Sequence, residues 1–114
     1  MKVSELCNAV QGKLKTTFGA DAEIQCGLVC DLLSFVMARG ASGCAWVTVQ
    51  THLNVIAIAS LHEMACIIVP EGMTTEQFSV DKADEESVAI IETPLSAYAV
   101  CGIMHDLHIK PAEQ

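Results

Sequence analysis

The sequence predicts a single α/β domain: a mostly parallel sheet with helices on both faces. Three observations lead there. Apolar runs with little polar alternation, at residues 44–49 and 64–69, read as strands buried on both sides. Stretches with helical spacing of apolar residues stand between such runs, and that alternation favours a parallel sheet. The length, 114 residues, suits one domain, and no linker, repeat or low-complexity tract divides it. At 12.2 kDa a compact monomer keeps roughly 6,000 Å² of accessible surface, enough burial for a core without disulfides or metal.

In chain order, Val3, Leu6, Cys7 and Val10 stand at i, i+3, i+4 and i+7, one stripe of a short helix that Gly12 stops. Residues 13–18 read as a weak strand or extended loop ended by Gly19. Residues 24–30, apolar apart from Gln25 and containing Gly27, read as a strand leading into a loop. Asp31 is placed to accept from the first N–H groups of a helix that carries Leu32, Leu33, Phe35, Val36 and Met37, with Gly40 closing it. Residues 44–49 are rich in β-formers and read as a buried strand.

Gln50, Thr51 and His52 interrupt the apolar pattern. The helix that follows, with Leu53, Val55, Ile56, Ala57, Ile58, Ala59 and Leu61, is apolar nearly all round, which implies burial on more than one side. Residues 65–69 form the next buried strand, ended by Pro70 and the loop Glu71-Gly72. Thr74-x-x-Gln77, or Thr75, is placed to cap an acidic helix reaching about Glu86. Residues 88–91 read as a short strand, and Thr93-Pro94 as an N-cap with proline at the first helical position. Ala97, Val100, Cys101, Met104 and Leu107 repeat at helical spacing, and Ile109 packs as a last short element. The domain is expected over residues 1–110, with 111–114 as a C-terminal tail.

Half of the residues are apolar (52%) and 18% are charged, with a net charge of −8 and Arg39 as the sole arginine. Nucleic acid and anionic membrane need clustered cations, so neither is an expected partner. Glu71, Glu76, Asp81, Asp84, Glu85, Glu86 and Glu92 clump around one cation, Lys82. Such a clump is either a solvated helix face or a docking surface for a basic partner. Polar residues interrupt the N-terminal stretch, and no run approaches the ~18 apolar residues of a membrane span, so a cytoplasmic location is expected. There the six cysteines, most of them inside apolar runs, stay reduced and pack as small hydrophobes.

Ligands of open parallel sheets collect outside the carboxyl ends of the strands. Those ends are Cys30-Asp31, Gln50-Thr51-His52, Pro70-Glu71-Gly72 and Glu92-Thr93. The candidate ligand-binding residues are therefore Asp31, Gln50, Thr51, His52, Gly72 and Thr93. His52 can donate to a phosphate or carboxylate or carry a proton near neutral pH; a capping role with an exposed ring explains it as well. His105 and His108 share a helix face, but no third ligand accompanies them, and a helix-dipole role suffices. No metal or cofactor is expected. Phosphate-loop, dinucleotide, nucleophile-elbow and zincin motifs are all missing, and no nucleophile is paired with a base by local spacing, so no catalytic residue is assigned.

Asp31-Leu32-Leu33-Ser34-x-Val36-Met37-Ala38, the run from Trp46 through Gln50-Thr51-His52-Leu53-Asn54 to Ala59, and Glu92-Thr93-Pro94-Leu95-Ser96-Ala97 resemble a DRTGG domain over nearly the whole chain. Such domains are similar to the N-terminal domain of HPr kinase/phosphorylase. They also occur in some phosphotransacetylases and CBS-containing pyrophosphatases, where they regulate and help dimerise. Short stand-alone versions are often encoded near iron-only hydrogenase components. The eponymous Asp-Arg-Thr would fall near residues 51–54 and is replaced here. Of the paired glycines only Gly72 remains, so a nucleotide phosphate would rely on helix N-termini and His52. The resemblance implies a homodimeric, non-catalytic regulatory or ligand-sensing module for a nucleotide or small anionic metabolite, acting through a partner protein. The alternative is a structural or assembly partner of a redox enzyme such as an iron-only hydrogenase, without a small ligand.

Overall fold

A computed structural model describes residues 1–112. Its elements are α1 (Val3–Ala9), β1 (Lys13–Leu14), β2 (Cys26–Val29), α2 (Leu33–Arg39), β3 (Cys44–Val47), α3 (Leu53–Leu61), β4 (Cys66–Val69), α4 (Gln77–Glu85), β5 (Ala89–Glu92) and α5 (Ala97–Asp106). The strands form one sheet in the order β1-β5-β4-β3-β2. β2, β3, β4 and β5 pair in parallel, with Ala45 opposite Cys66 and Cys66 opposite Ala89. The fold is the expected α/β arrangement.

The stretch read as a weak strand or loop supplies a fifth strand. Lys13 and Leu14 pair antiparallel with Glu92 and Ile91. Gly12 permits this approach, because a Cβ there would lie 2.6 Å from Ile91 Cγ2. At the opposite edge the chain returns to β2: Gly27 N–H donates to the Lys110 carbonyl and Ala112 N–H to the Gly27 carbonyl, 2.8 Å each. Of the tail expected over 111–114, Glu113 and Gln114 lie outside the described residues.

Strand periodicity divides the core into two layers. Ala45, Val47, Cys66, Ile68, Ala89 and Ile91 face α1 and α5, where Leu6, Val10, Val100 and Met104 cover them. Cys44, Trp46, Ile67, Val69 and Ile90 face α2, α3 and α4, through Val36, Val55, Ile56, Ala59, Val80 and Ala83. Every residue of β3 and β4 is buried. The accessible surface, 5871 Å², is close to the roughly 6,000 Å² of a compact monomer of this mass. The apolar composition is thus largely absorbed by a sheet covered on both faces.

The structure corrects several local expectations. Asp31 does not cap α2, which starts at Leu33 after Leu32 with no side-chain cap; its carboxylate is engaged elsewhere. Neither Thr74 nor Thr75 caps α4, which starts two residues later after Glu76. Thr93 is not the cap of α5; Ser96 is, accepting from Ala99 N–H. Thr93 is drawn inward instead, its hydroxyl donating to the Val10 carbonyl at 2.6 Å. The α3 helix is buried on one side only. Val55, Ile56 and Ala59 face the sheet, while Leu53, Ala57 and Leu61 are exposed. α2 and α4 lie on its flanks and nothing in the described chain lies on its back.

All six cysteines are free thiols. Burial pushes the Cys66 thiol up to about 12. Cys44 is also raised, by burial first and then by Cys26, its register partner on β2. Cys7 and Cys101 are raised by burial as well. A thiol with a raised folded pKa stabilises the fold below its unfolded value and loses that contribution as pH climbs toward the folded value. Urea unfolding should therefore show stability falling as pH rises past about 9, and Cys66→Ala should flatten that decline. An unchanged slope in the variant would show that the Cys66 thiol does not set the alkaline limit.

Candidate functional site

Trp46 on β3 and, just beyond its end, Thr48 and Gln50 stand at alternate positions, and all three grip the loop that leaves β2. The buried Trp46 Nε1–H donates to the Cys30 carbonyl at 2.9 Å. Thr48 Oγ1 donates to Asp31 Oδ1 at 2.7 Å, and the same carboxylate oxygen accepts Val49 N–H at 3.0 Å. Gln50 Nε2 donates to the Asp31 carbonyl at 3.1 Å, and Gln50 N–H to Thr48 Oγ1 at 3.1 Å. The carboxylate thus clasps the turn from β3 into α3, which explains why it does not cap α2. Thr48 is the residue of this clasp absent from the expected set. Its signal is the period-two row Trp46-x-Thr48-x-Gln50 at a strand end.

The clasped turn ends at the N-terminus of α3. His52 occupies the N-cap position with no side-chain cap hydrogen bond. Its ring is exposed and Thr51 is half-buried. The first N–H groups of the helix therefore carry no side-chain acceptor, an arrangement that favours an anionic or polar group. Beneath the turn, Gln50, Thr51 and Thr75 share a cavity of ≈ 10 Å³ with apolar side chains from β4, β5 and α3, about the space one water needs. Thr75 Oγ1 is buried there without a hydrogen-bond partner. A buried orphan hydroxyl costs about 1–3 kcal/mol, so this atom calls for a water or a ligand group. Its signal in the sequence, a threonine next to a helix start, reads as a cap and conceals the role.

Gly72 and Thr93 fall in a second crevice. The chain leaving β4 runs to α4 on one face, and the chain leaving β5 runs to α5 on the other. Such a divergence is where open α/β sheets leave a crevice. Here it measures ≈ 240 Å³ and is lined by Lys13, Gly72, Met73, Thr74, Glu92, Thr93 and Pro94. Gly72 has φ +70°, with open space where a Cβ would sit. Its N–H donates to the Thr93 carbonyl at 3.0 Å. The chain itself supplies the acceptors at this place. Glu71 Oε2 takes Ala97 N–H in the first turn of α5 at 2.9 Å, and Glu92 Oε2 takes Thr75 N–H at 2.8 Å.

The six expected residues therefore form two groups. Asp31, Gln50, Thr51 and His52 belong to one turn, with Asp31 and Gln50 as its supports. Gly72 and Thr93 belong to the neighbouring crevice, where Thr93 is 2% exposed and structural. The Thr75–Glu92 bond links the two. His105 and Asp106, on α5, are almost fully exposed. Among the described residues no three His, Cys, Asp or Glu side chains gather as a metal site, and no helix is long and apolar enough to cross a membrane.

No protein-family model and no curated protein matches the chain. Among solved structures, it resembles the CBS and DRTGG domains of the regulatory region of Clostridium perfringens pyrophosphatase, complexed with its activator diadenosine tetraphosphate. The TM-score is 0.73 at 10% sequence identity, over 99% of this chain and 51% of that one. The chain thus spans about half the length of that structure. The fold is DRTGG-like.

Asp31→Ala should remove both carboxylate bonds of the clasp. Partly exposed, they are worth about 1 kcal/mol together. Amide exchange at Val49 and Gln50 should accelerate while exchange in β4 stays slow. Unchanged protection at Val49 would mean that the turn is held by something else.

Proposed function

We propose that this domain is a non-catalytic regulatory module. In this reading it senses a nucleotide or small anionic metabolite and acts through a partner protein, in the cytoplasm and as a homodimer. The observation that carries the ligand reading is the clasped turn 50–52 beside the orphan hydroxyl of Thr75. A rigid strand end presents uncapped helix N–H groups, the exposed His52 ring and a buried donor without a partner. The fold adds support, since the similar pyrophosphatase structure is a regulatory region complexed with a nucleotide activator.

The chemistry at the turn favours binding over catalysis. Thr48 and Asp31 are in hydrogen-bond contact, but Thr48 is 1% exposed, and its oxygen also accepts from Gln50 N–H. A hydroxyl so placed has no path to a substrate, and no other hydroxyl at the turn is paired with a base. The phosphate-binding capacity is modest, because the neighbouring crevice offers Lys13 against Glu92. A second reading, an assembly partner for a redox enzyme without a small ligand, draws on the exposed apolar back of α3.

A thermal-shift series with ATP, ADP and diadenosine tetraphosphate tests the first reading. A ligand at about 100 times its Kd adds about 2.7 kcal/mol, a shift of several degrees for a domain of this size. Thr51→Val and His52→Ala should abolish the shift with little effect on the ligand-free Tm, since both side chains reach solvent. Thr75→Val should leave the ligand-free Tm equal or higher, because it removes an unsatisfied polar atom, yet reduce the ligand shift. No response to any of these nucleotides would overturn nucleotide sensing and favour the assembly reading.

A further inference from the structure

A broad concavity runs from the start of α3 along the space between α3 and α4. It measures ≈ 520 Å³, with Leu53, Ile56, Ala57 and Leu61 on one wall and Lys82 and Glu86 on the other. Leu53, Ala57 and Leu61 recur at i, i+4 and i+8, so they form one outward ridge. Leu53 is 43% exposed and Leu61 65%. α3 carries no charged residue. Solvent-facing helices of monomers are normally polar on that side, so this ridge is built for contact. Ala57 at its centre lets another backbone approach closely.

Charge identifies what fits there. Lys82 is held by Glu86 at 3.2 Å and Glu85 at 3.6 Å, and these carboxylates, Glu86 foremost, raise its pKa. Glu86 also accepts the Ser60 hydroxyl at 3.2 Å, which ties the two helices together across the groove. Asp81 lies one turn earlier, bonded only to the neutral Gln77 amide. Within the groove Lys82 and Glu86 offset each other; the exposed Asp81 and Glu85 beside them make the α4 rim acidic in sum, on a chain of net charge −8. A second copy would bring like charge to this face, whereas a cationic partner would meet the opposite sign.

We propose that the α3 ridge and the α4 wall form a docking groove for an amphipathic helix of a partner protein, its apolar edge flanked by lysine or arginine. This rests on the reading that the domain acts through a partner, and it supplies the chemistry of that partner. Helix-in-groove recognition uses apolar anchors at i, i+3 or i+4 and i+7, which matches the length of α3. The apolar contact supplies affinity, and the acidic rim selects the sign of the partner and speeds encounter.

The probe is a synthetic amphipathic helix of about four turns with leucines at i, i+4 and i+8 flanked by lysines, compared with its glutamate-flanked twin. Amide shifts on titration should map to α3 and α4, and raising the salt should weaken binding. Leu61→Glu, at a solvent-facing position, should cost about tenfold or more, and Glu85→Lys several-fold with the fold undisturbed. Tyr98→Glu, at a 90% exposed position on α5, should change nothing. Equal binding of the glutamate-flanked twin, or no shifts at α3, overturns the proposal. So does a dimer of the free protein that Leu61→Glu dissociates, since a second copy would then own the face. The nucleotide thermal shift is a separate readout, and its absence with peptide binding intact would strike ligand sensing alone.

Discussion

The structure depends on the burial of β3 and β4 on both faces. All of their side chains are enclosed, alternately by α1 and α5 and by the α2–α4 layer. Parallel strands of this kind leave no room for polar groups along their length, because an unpaired polar atom between two apolar layers costs more than most contacts return. Polar chemistry is thereby confined to the strand ends. Trp46 is the partial exception, and it obeys the same rule: its single N–H reaches the Cys30 carbonyl at the end of the neighbouring strand.

That confinement explains the economy of the polar residues. Asp31, Thr48 and Gln50 spend their hydrogen bonds on one another and on the backbone. Glu71 and Glu92 do the same beside β4 and β5. In a chain with few cations, these carboxylates fill N–H groups that a phosphate could otherwise occupy. The turn 50–52 escapes this pattern, because its own carboxylate sits behind it as a support and leaves the helix N-terminus in front of it free.

The two-sided, mostly parallel sheet, the alternation of strands and helices along the chain and the placement of polar turns at the strand ends were legible in the sequence, because β-strand and helix periodicities differ and burial on both faces removes polar alternation; the order of strands within the sheet was not. The strand β1 was legible only as a weak strand or loop. Two residues carry no periodicity, and their pairing follows from the absence of a side chain at Gly12. The caps at Asp31 and Thr93 misled for a common reason. A short polar side chain before a helix has several acceptors and donors within reach, and tertiary neighbours such as Val49 N–H or the Val10 carbonyl compete with the local helix end.

From the sequence alone come the α/β class, the acidic balance, the four strand-end turns and the nearly all-apolar character of α3. Each is a property of composition or period, which local physics reads without knowing the neighbours. Only the tertiary structure separates the six candidate residues into two places, leaves the Thr75 hydroxyl without a partner and turns the far side of α3 to solvent. Those outcomes depend on which atoms meet across long stretches of chain. One sheet face can cover only one side of a helix, whatever the helix carries on the other.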